Sequence, residues 1–322
     1  MLPPTDVEPG AVKADPILVV ENVTKHFGGI VAVNVSHLEV PRGGITALIG
    51  PNGAGKTTLF NLLTGFDRPD SGTWKFDDHE IAHMPAFRVA RRGMVRTFQL
   101  TKALGLLTVL DNMRLGARDQ GGESITHAIF SGLWRRRERE ITEQARTILA
   151  RFSLESKADD YAASLSGGQR KLLEMARALM SEPRLVMLDE PMAGVNPALT
   201  QSLLGHIVQL KELGMTVLFV EHDMHVVRTI ADWVIVMAEG EIVAEGTPTA
   251  VMKNPAVIDA YLGAHHNIDL GSLSGQLEVA AEAHSPLTSQ ISAAIATEHA
   301  AEIAGHAKTP PDAAGDVERR SR

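Results

Sequence analysis

No cysteine occurs in the 322 residues, which excludes disulfides and thiolate-bound metal while leaving the cellular compartment open. Nor does any stretch approach the ~18 consecutive apolar residues needed to span a bilayer, so a membrane role would have to run through partner chains. Met1 to Pro16 hold Asp6, Glu8 and Asp15 without an apolar run, unlike a secretory signal. Excess positive charge is missing too. The formal net charge is -8, so no global field gathers nucleic acid, although a local basic patch remains compatible with that balance. What is present is ordinary globular material, 44% hydrophobic, long enough for one large domain or two modest ones.

The stretch with the clearest chemistry is Gly50-Pro51-Asn52-Gly53-Ala54-Gly55-Lys56-Thr57, which fits GxxxxGK[ST]. Ile45 to Ile49 before it reads as a buried strand, and Thr58 to Leu63 after it as the first turns of a helix closed by Gly65. A strand that turns through glycines into a helix aims successive backbone N–H groups at one point. Orphan amides and the helix dipole both favour an anion there. Gly50 to Thr58 are therefore expected to hold a nucleotide's phosphates, with Lys56 reaching the β- and γ-phosphates and the Thr57 hydroxyl holding Mg²⁺. The bland alternative is a glycine-rich turn that happens to end in Gly-Lys-Thr, and the flanks argue against it.

Residues 1–16, rich in proline and acid, read as a loose leader. Ile17 to Val20 and Val31 to Val40 read as strands, with Lys25 to Gly29 as the turn between them. Asp70-Ser71-Gly72 signals a turn before a short strand, Thr73 to Phe76, that places Trp74 and Phe76 on one face. Met94 to Phe98 reads as another strand, ending at Gln99. Over about 100–182 helical spacing takes over, with Leu106, Val109, Leu110 and Met113, then Ile141, Ala145, Ile148 and Leu149. A helical subdomain inserted into an α/β core is the expectation. Leu185 to Leu188 and Met215 to Val220 are continuous apolar runs of the parallel-strand kind. Trp233 to Met237 and Glu241 to Ala244 read as a closing hairpin, followed by a last helix from Pro248 to Leu262. The main domain is thus expected over 17–263. Residues 264–322 have no aromatic and too little apolar content to fold alone, which predicts a disordered tail with at most a transient helix near Ile291 and Ile295.

Leu185 to Leu188 run into two adjacent carboxylates, Asp189 and Glu190. An acid at a strand end beside a phosphate loop serves to hold Mg²⁺ directly or through water, and Asp189 fits. Its neighbour diverges from it, so Glu190 is placed to act as general base on an attacking water. Leu165-Ser166-Gly167-Gly168-Gln169 precedes a helix whose apolar positions, Leu172, Leu173, Ala176, Leu179 and Met180, share one face. Ser166 can cap that helix, and the glycines let a phosphate approach its amides.

Together, and in this order, the phosphate loop, Gln99, Leu165 to Gln169, Leu185 to Glu190 and His222 resemble an ATP-binding cassette (ABC) ATPase over residues 17–263. The resemblance implies a P-loop core with an antiparallel β subdomain and a helical insertion. It also implies that two cassettes pair head to tail around two ATP molecules. Ser166, Gly167, Gly168 and Gln169 would then contact ATP held by the partner's phosphate loop. Gln99 would bind Mg²⁺ and water, and His222 would contact the γ-phosphate and orient the attacking water. Phe27 would stack on adenine where a Tyr is usual, and Asn196 would lie in the loop crossing the dimer interface where many cassettes have Asp. Within the superfamily, Phe27-Gly28-Gly29, Leu63 to Phe66, Val95 to Gln99, Glu221 to Met224 and Ala260 to Gly263 are similar to the ATPases of branched-chain amino-acid importers. Urea importers and the lipopolysaccharide-export ATPase share several of these.

The implied machine is a cytoplasmic-face ATPase with transmembrane permeases, a second cassette (a copy or a paralogue) and an extracytoplasmic solute-binding protein as partners, and no nucleic acid. A soluble cassette acting on DNA or ribosomes is the rival. Such proteins usually carry two cassettes or a long coiled-coil insertion, and neither is visible in this sequence. Trp134-Arg135-Arg136-Arg137-Glu138-Arg139 is either a solvated helix face or a contact for lipid headgroups.

Overall fold

The computed structural model describes residues 9–97, 103–118 and 131–263. Phe98, Gln99 and the tail expected over 264–322 lie outside them.

Two sheets form the core. In the first, antiparallel sheet, β1 (Pro16–Phe27) is flanked by β2 (Ile30–Pro41) and β4 (Ser71–Phe76), with β5 (His79–Glu80) at the edge. The second has the order β10-β9-β3-β8-β7-β6, built from β3 (Ile45–Ile49), β6 (Met94–Arg96), β7 (Leu185–Asp189), β8 (Thr216–Val220), β9 (Trp233–Ala238) and β10 (Glu241–Gly246). All its pairings are parallel except that of β9 with β10, the expected hairpin. Every residue of β3, β7 and β8 is buried, as continuous apolar runs require when both faces of a parallel sheet are covered. Alternate side chains take opposite sides. Ile45, Ala47 and Ile49 pack with the helices, while Leu48 packs with the antiparallel sheet, beside Trp74 and Phe76.

The helices are α1 (Lys56–Leu63), α2 (Ala86–Arg92), α3 (Val109–Arg114), α4 (Ser131–Arg151), α5 (Gly167–Leu179), α6 (Pro197–Glu212), α7 (Met224–Ile230), α8 (Pro248–Val251) and α9 (Pro255–Gly263). Val109, Met113, Ala145, Leu149, Leu173 and Ala176 join α3, α4 and α5 into one cluster, the helical insertion that the periodicity predicts. In the basic stretch of α4, Arg136 and Arg137 pair with Glu140 at 3.0 and 3.6 Å on an exposed face.

Four expectations change in detail. β1 continues through Phe27, so only Gly28-Gly29 turns, because Phe27 pairs with Ile30 across a two-residue hairpin. β4 already begins at Ser71, one residue inside the expected turn. The last helix is split into α8 and α9, because Pro255 starts a new helix at its first position while Asn254 accepts from the Ala256 amide at 2.9 Å. The leader is held from residue 11 onward. Ala11 N–H donates to Glu245 at 2.6 Å, and the Lys13 ammonium pairs with the same carboxylate at 2.6 Å, both side chains 2% exposed. That pairing spans over 230 residues, which no local composition could reveal.

Candidate functional site

Because β3, β8, β7 and β6 run parallel, their C-terminal ends open at one edge of the sheet. That edge receives the phosphate loop after β3, Glu221 and His222 after β8, Asp189 and Glu190 at β7, and Arg96 and Thr97 at β6. Ligand sites of open parallel sheets form at such an edge.

The loop itself needs its glycines. Gly50 has φ +151 and a Cβ there would sit 2.1 Å from the Met237 carbonyl; Gly55 has φ +98 and a Cβ would sit 2.2 Å from the Ala32 carbonyl. No side chain caps α1, and its first turn carries no acid, so its leading amides face the loop without a side-chain acceptor. The Lys56 ammonium donates to the carbonyls of Gly50 at 2.7 Å and Pro51 at 2.9 Å. Burial pulls its pKa down, and the charges of Glu190 and Asp189 oppose that shift. Thr57 is exposed at the start of α1 and Thr58 half-buried behind it.

Asp189 is buried against Arg96, whose guanidinium donates to its carboxylate at 2.6 Å and to the Asn61 side chain at 2.6 Å. Glu190 has φ +46, left-handed for a non-glycine, and its amide donates to Val220 O at 3.1 Å. A backbone of that kind holds strain and is found where surroundings dictate it. Glu221, at 1% exposure, accepts from the Met192 amide at 3.0 Å and from the His222 amide at 3.3 Å. Its burial raises its pKa. The His222 side chain is 65% exposed, so the ring faces outward. The hard-oxygen donors Thr57 and Asp189 suit a Mg²⁺ ion whose other ligands come from phosphates and water. Among the described residues no group of three His, Cys, Asp or Glu side chains is placed to hold a metal ion.

Ser166 caps α5 as predicted. Its hydroxyl accepts from the Gln169 amide at 3.2 Å while the Gln169 side chain accepts from the Ser166 amide at 3.0 Å. The two glycines differ. A Cβ on Gly167 would meet open space, whereas one on Gly168 would strike the Leu199 side chain of α6 at 1.6 Å. Gly167 thus faces open space, and Gly168 lies against the Leu199 side chain. Asn196 caps α6 by accepting from the Leu199 amide at 2.9 Å, a role open to Asn as well as Asp. Phe27 is half exposed at the hairpin end, with the Lys25 ammonium 5.2 Å from its ring centre. Gln99 lies outside the described residues. Sequence reasoning missed Arg96, Lys171 and the buried Glu221 as parts of this edge. Arg96 and Glu221 stand inside stretches that were singled out, but their partners lie 93 and 29 residues away.

A phosphate loop and an acid pair at one edge of a parallel sheet, with an antiparallel sheet beneath and a helical insertion beside it, define a P-loop ATPase of the ATP-binding cassette architecture. Relatives agree. The family profile described as "ABC transporter" matches residues 33–193, and one described as "Branched-chain amino acid ATP-binding cassette transporter" matches residues 241–267. The probable branched-chain amino acid transport ATP-binding protein LivG of Archaeoglobus fulgidus is 44% identical over 248 residues, 77% of this chain and 96% of that one. The high-affinity branched-chain amino acid transport ATP-binding protein BraF of Pseudomonas aeruginosa is 42% identical over 250 residues, 77% and 98% of the two chains. An ATP-binding cassette of an ABC transporter solved in its ADP conformation superposes with a TM-score of 0.68 at 38% identity, covering 77% of this chain and 99% of that one. The chain belongs to the ABC transporter ATP-binding family, and is an ATPase of that family. No described helix is long and apolar enough to cross a membrane. Membership of the ABC transporter ATP-binding family implies membrane permease partners.

Proposed function

We propose that this chain powers the import of branched-chain amino acids from the cytoplasmic face of the membrane, joined to two permeases and fed by an extracytoplasmic solute-binding protein. The observation carrying the cargo class is the match of residues 241–267, which include β10, α8 and α9, to the branched-chain amino-acid type of cassette. The catalytic domain is read as 17–263, with the helical subdomain near 100–182 and a separate tail over 264–322.

In this reading Gly50 to Thr58 wrap the ATP phosphates, Lys56 swings from its two carbonyls to the β- and γ-phosphates, and Phe27 stacks on adenine. Thr57, Asp189 and Gln99 would hold Mg²⁺, which supplies positive charge against the phosphate oxygens. Glu190 accepts a proton from water as the water oxygen bonds to the γ-phosphorus and the bridging bond to ADP breaks. His222 turns its exposed ring to the γ-phosphate and orients that water. Ser166, Gly167, Gly168 and Gln169 present the α5 N-terminus to ATP on the second cassette, a copy or a paralogue. Binding closes the pair and hydrolysis reopens it.

Uptake of labelled leucine tests the cargo. Cells lacking this gene should import leucine several-fold more slowly, recovering with the intact gene but not with Lys56→Ala. Normal leucine uptake combined with lost uptake of another solute would reassign the cargo while leaving the ATPase in place.

A further inference from the structure

Three successive residues after Glu190 are gripped from two different elements. From the second turn of α5, the Lys171 ammonium donates to the carbonyl of Pro191 at 3.0 Å and to that of Ala193. From the end of β8, Glu221 accepts from the intervening Met192 amide at 3.0 Å. The turn closes on itself through Ala193 N–H to Glu190 O at 3.1 Å and Val195 N–H to Met192 O at 3.2 Å. Glu190, at its head, has a left-handed backbone although it is not a glycine. Such a conformation costs on the order of 1–3 kcal/mol and persists only where neighbours over-determine it.

Glu221 is buried and Lys171 half-buried, and taking such polar groups from water is unfavourable unless they are well bonded. Burial lowers the pKa of Lys171, against the opposing charges of Glu221, Glu174 and Glu190, and raises that of Glu221. A small cavity beside them is lined by Lys171, Glu174, Asp189, Glu190 and Pro191, so α5 reaches the strand end directly.

We propose that Lys171 and Glu221 are positioning residues that clamp the 190–193 turn and so fix the Glu190 carboxylate for proton transfer. The inference rests on the reading of Glu190 as general base. It also gives α5 a direct mechanical line to that base. The helix whose capped N-terminus meets the second ATP grips, one turn later, the segment carrying Glu190. Displacing a reacting group by about 1 Å can cost roughly 100-fold in rate.

The test uses the full chain, with Mg-ATP turnover and melting temperature measured in parallel. Lys171→Met removes both donors at similar length, Lys171→Arg restores donors, and Glu221→Leu releases the turn from the other side. Lys171→Met and Glu221→Leu are expected to lower kcat about 10- to 100-fold with KM within about twofold. Lys171→Arg should recover most of the loss. Within Glu190→Gln, adding Lys171→Met should cost nothing further, because the clamp acts through that carboxylate. Unchanged kcat in the clamp variants overturns the proposal, as does a loss that multiplies with Glu190→Gln. If Lys171→Met does not fold, Glu221→Leu, alone and within Glu190→Gln, reads the same split. A Glu190→Gln enzyme that turns over normally removes the base assignment and the clamp's purpose together. That result differs from a slow Glu190→Gln beside a normal Lys171→Met, which refutes the clamp alone.

Discussion

Arg96 and Asp189 stand at the ends of the adjacent parallel strands β6 and β7 with their charged groups 2.6 Å apart and both side chains 5% exposed. The same guanidinium reaches Asn61 on α1 and lies 5.6 Å from the Phe60 ring centre. One cation thus ties the helix that follows the phosphate loop to the strand that carries the acid pair. It also holds a carboxylate proposed to face Mg²⁺.

Removing one partner of a buried pair leaves the other charge uncompensated, which costs roughly 3–5 kcal/mol. Arg96→Met should therefore lower the unfolding free energy in denaturant titration by about that much. A loss below about 1 kcal/mol would mean that Asp189 finds another partner or solvent.

Lys56→Ala should weaken ATP binding by at least about tenfold, since charge-assisted hydrogen bonds contribute roughly 1.5–3 kcal/mol each. In the structure the ammonium spends its hydrogen bonds on Gly50 and Pro51, so the net loss excludes whatever those bonds return. Equilibrium binding of a labelled ATP analogue measures it. Affinity within twofold of wild type would sink the assignment of the loop.

Glu190→Gln and Asp189→Asn should fail differently. The first keeps size and hydrogen bonding but cannot take a proton, so turnover at saturating Mg-ATP should fall roughly 10²–10⁴-fold with nucleotide binding retained. The second removes charge from a carboxylate bonded to Arg96, so its Mg²⁺ dependence should shift and its nucleotide complex should be poor. Phosphate release and Mg²⁺ titration separate the two. Wild-type turnover in Glu190→Gln places the base elsewhere.

His206 on α6 supplies a pH dependence away from the site. Its ring stacks on Phe152 at 4.4 Å, and burial lowers its pKa from the ordinary 6.5, against a hydrogen bond that its Nδ1–H donates to the Gln209 side-chain oxygen, which raises it. A depressed folded pKa means the unfolded chain binds the proton first as pH falls below 6.5. The neutral ring's contribution is complete above that value and is lost on acidification toward the folded pKa. Melting of wild type and His206→Phe at about pH 7.5 and about pH 5.5 checks this. Acidification should lower the wild-type melting temperature more than the variant's, and equal shifts refute it.

Much was legible because the chemistry is local. Glycine spacing around Lys56, the apolar runs before Asp189 and Glu221, and the Ser166–Gln169 cap each depend on residues within a few positions of one another. Turn geometry, side-chain alternation and helix capping act over that range. The architecture of the ATPase and its phosphate loop could therefore be read from residues in order. Tertiary structure alone decided what the strand ends do to each other. It buried Asp189 against Arg96, held the leader through Lys13 and Glu245, and set Gly168 against Leu199 while leaving the space at Gly167 open. It also gripped the turn after Glu190 from Lys171 and Glu221. Each of these pairs residues about 20 to over 200 positions apart. Charge and spacing along a chain carry no record of such pairs, because strand order and helix docking choose them only once the sheet has formed.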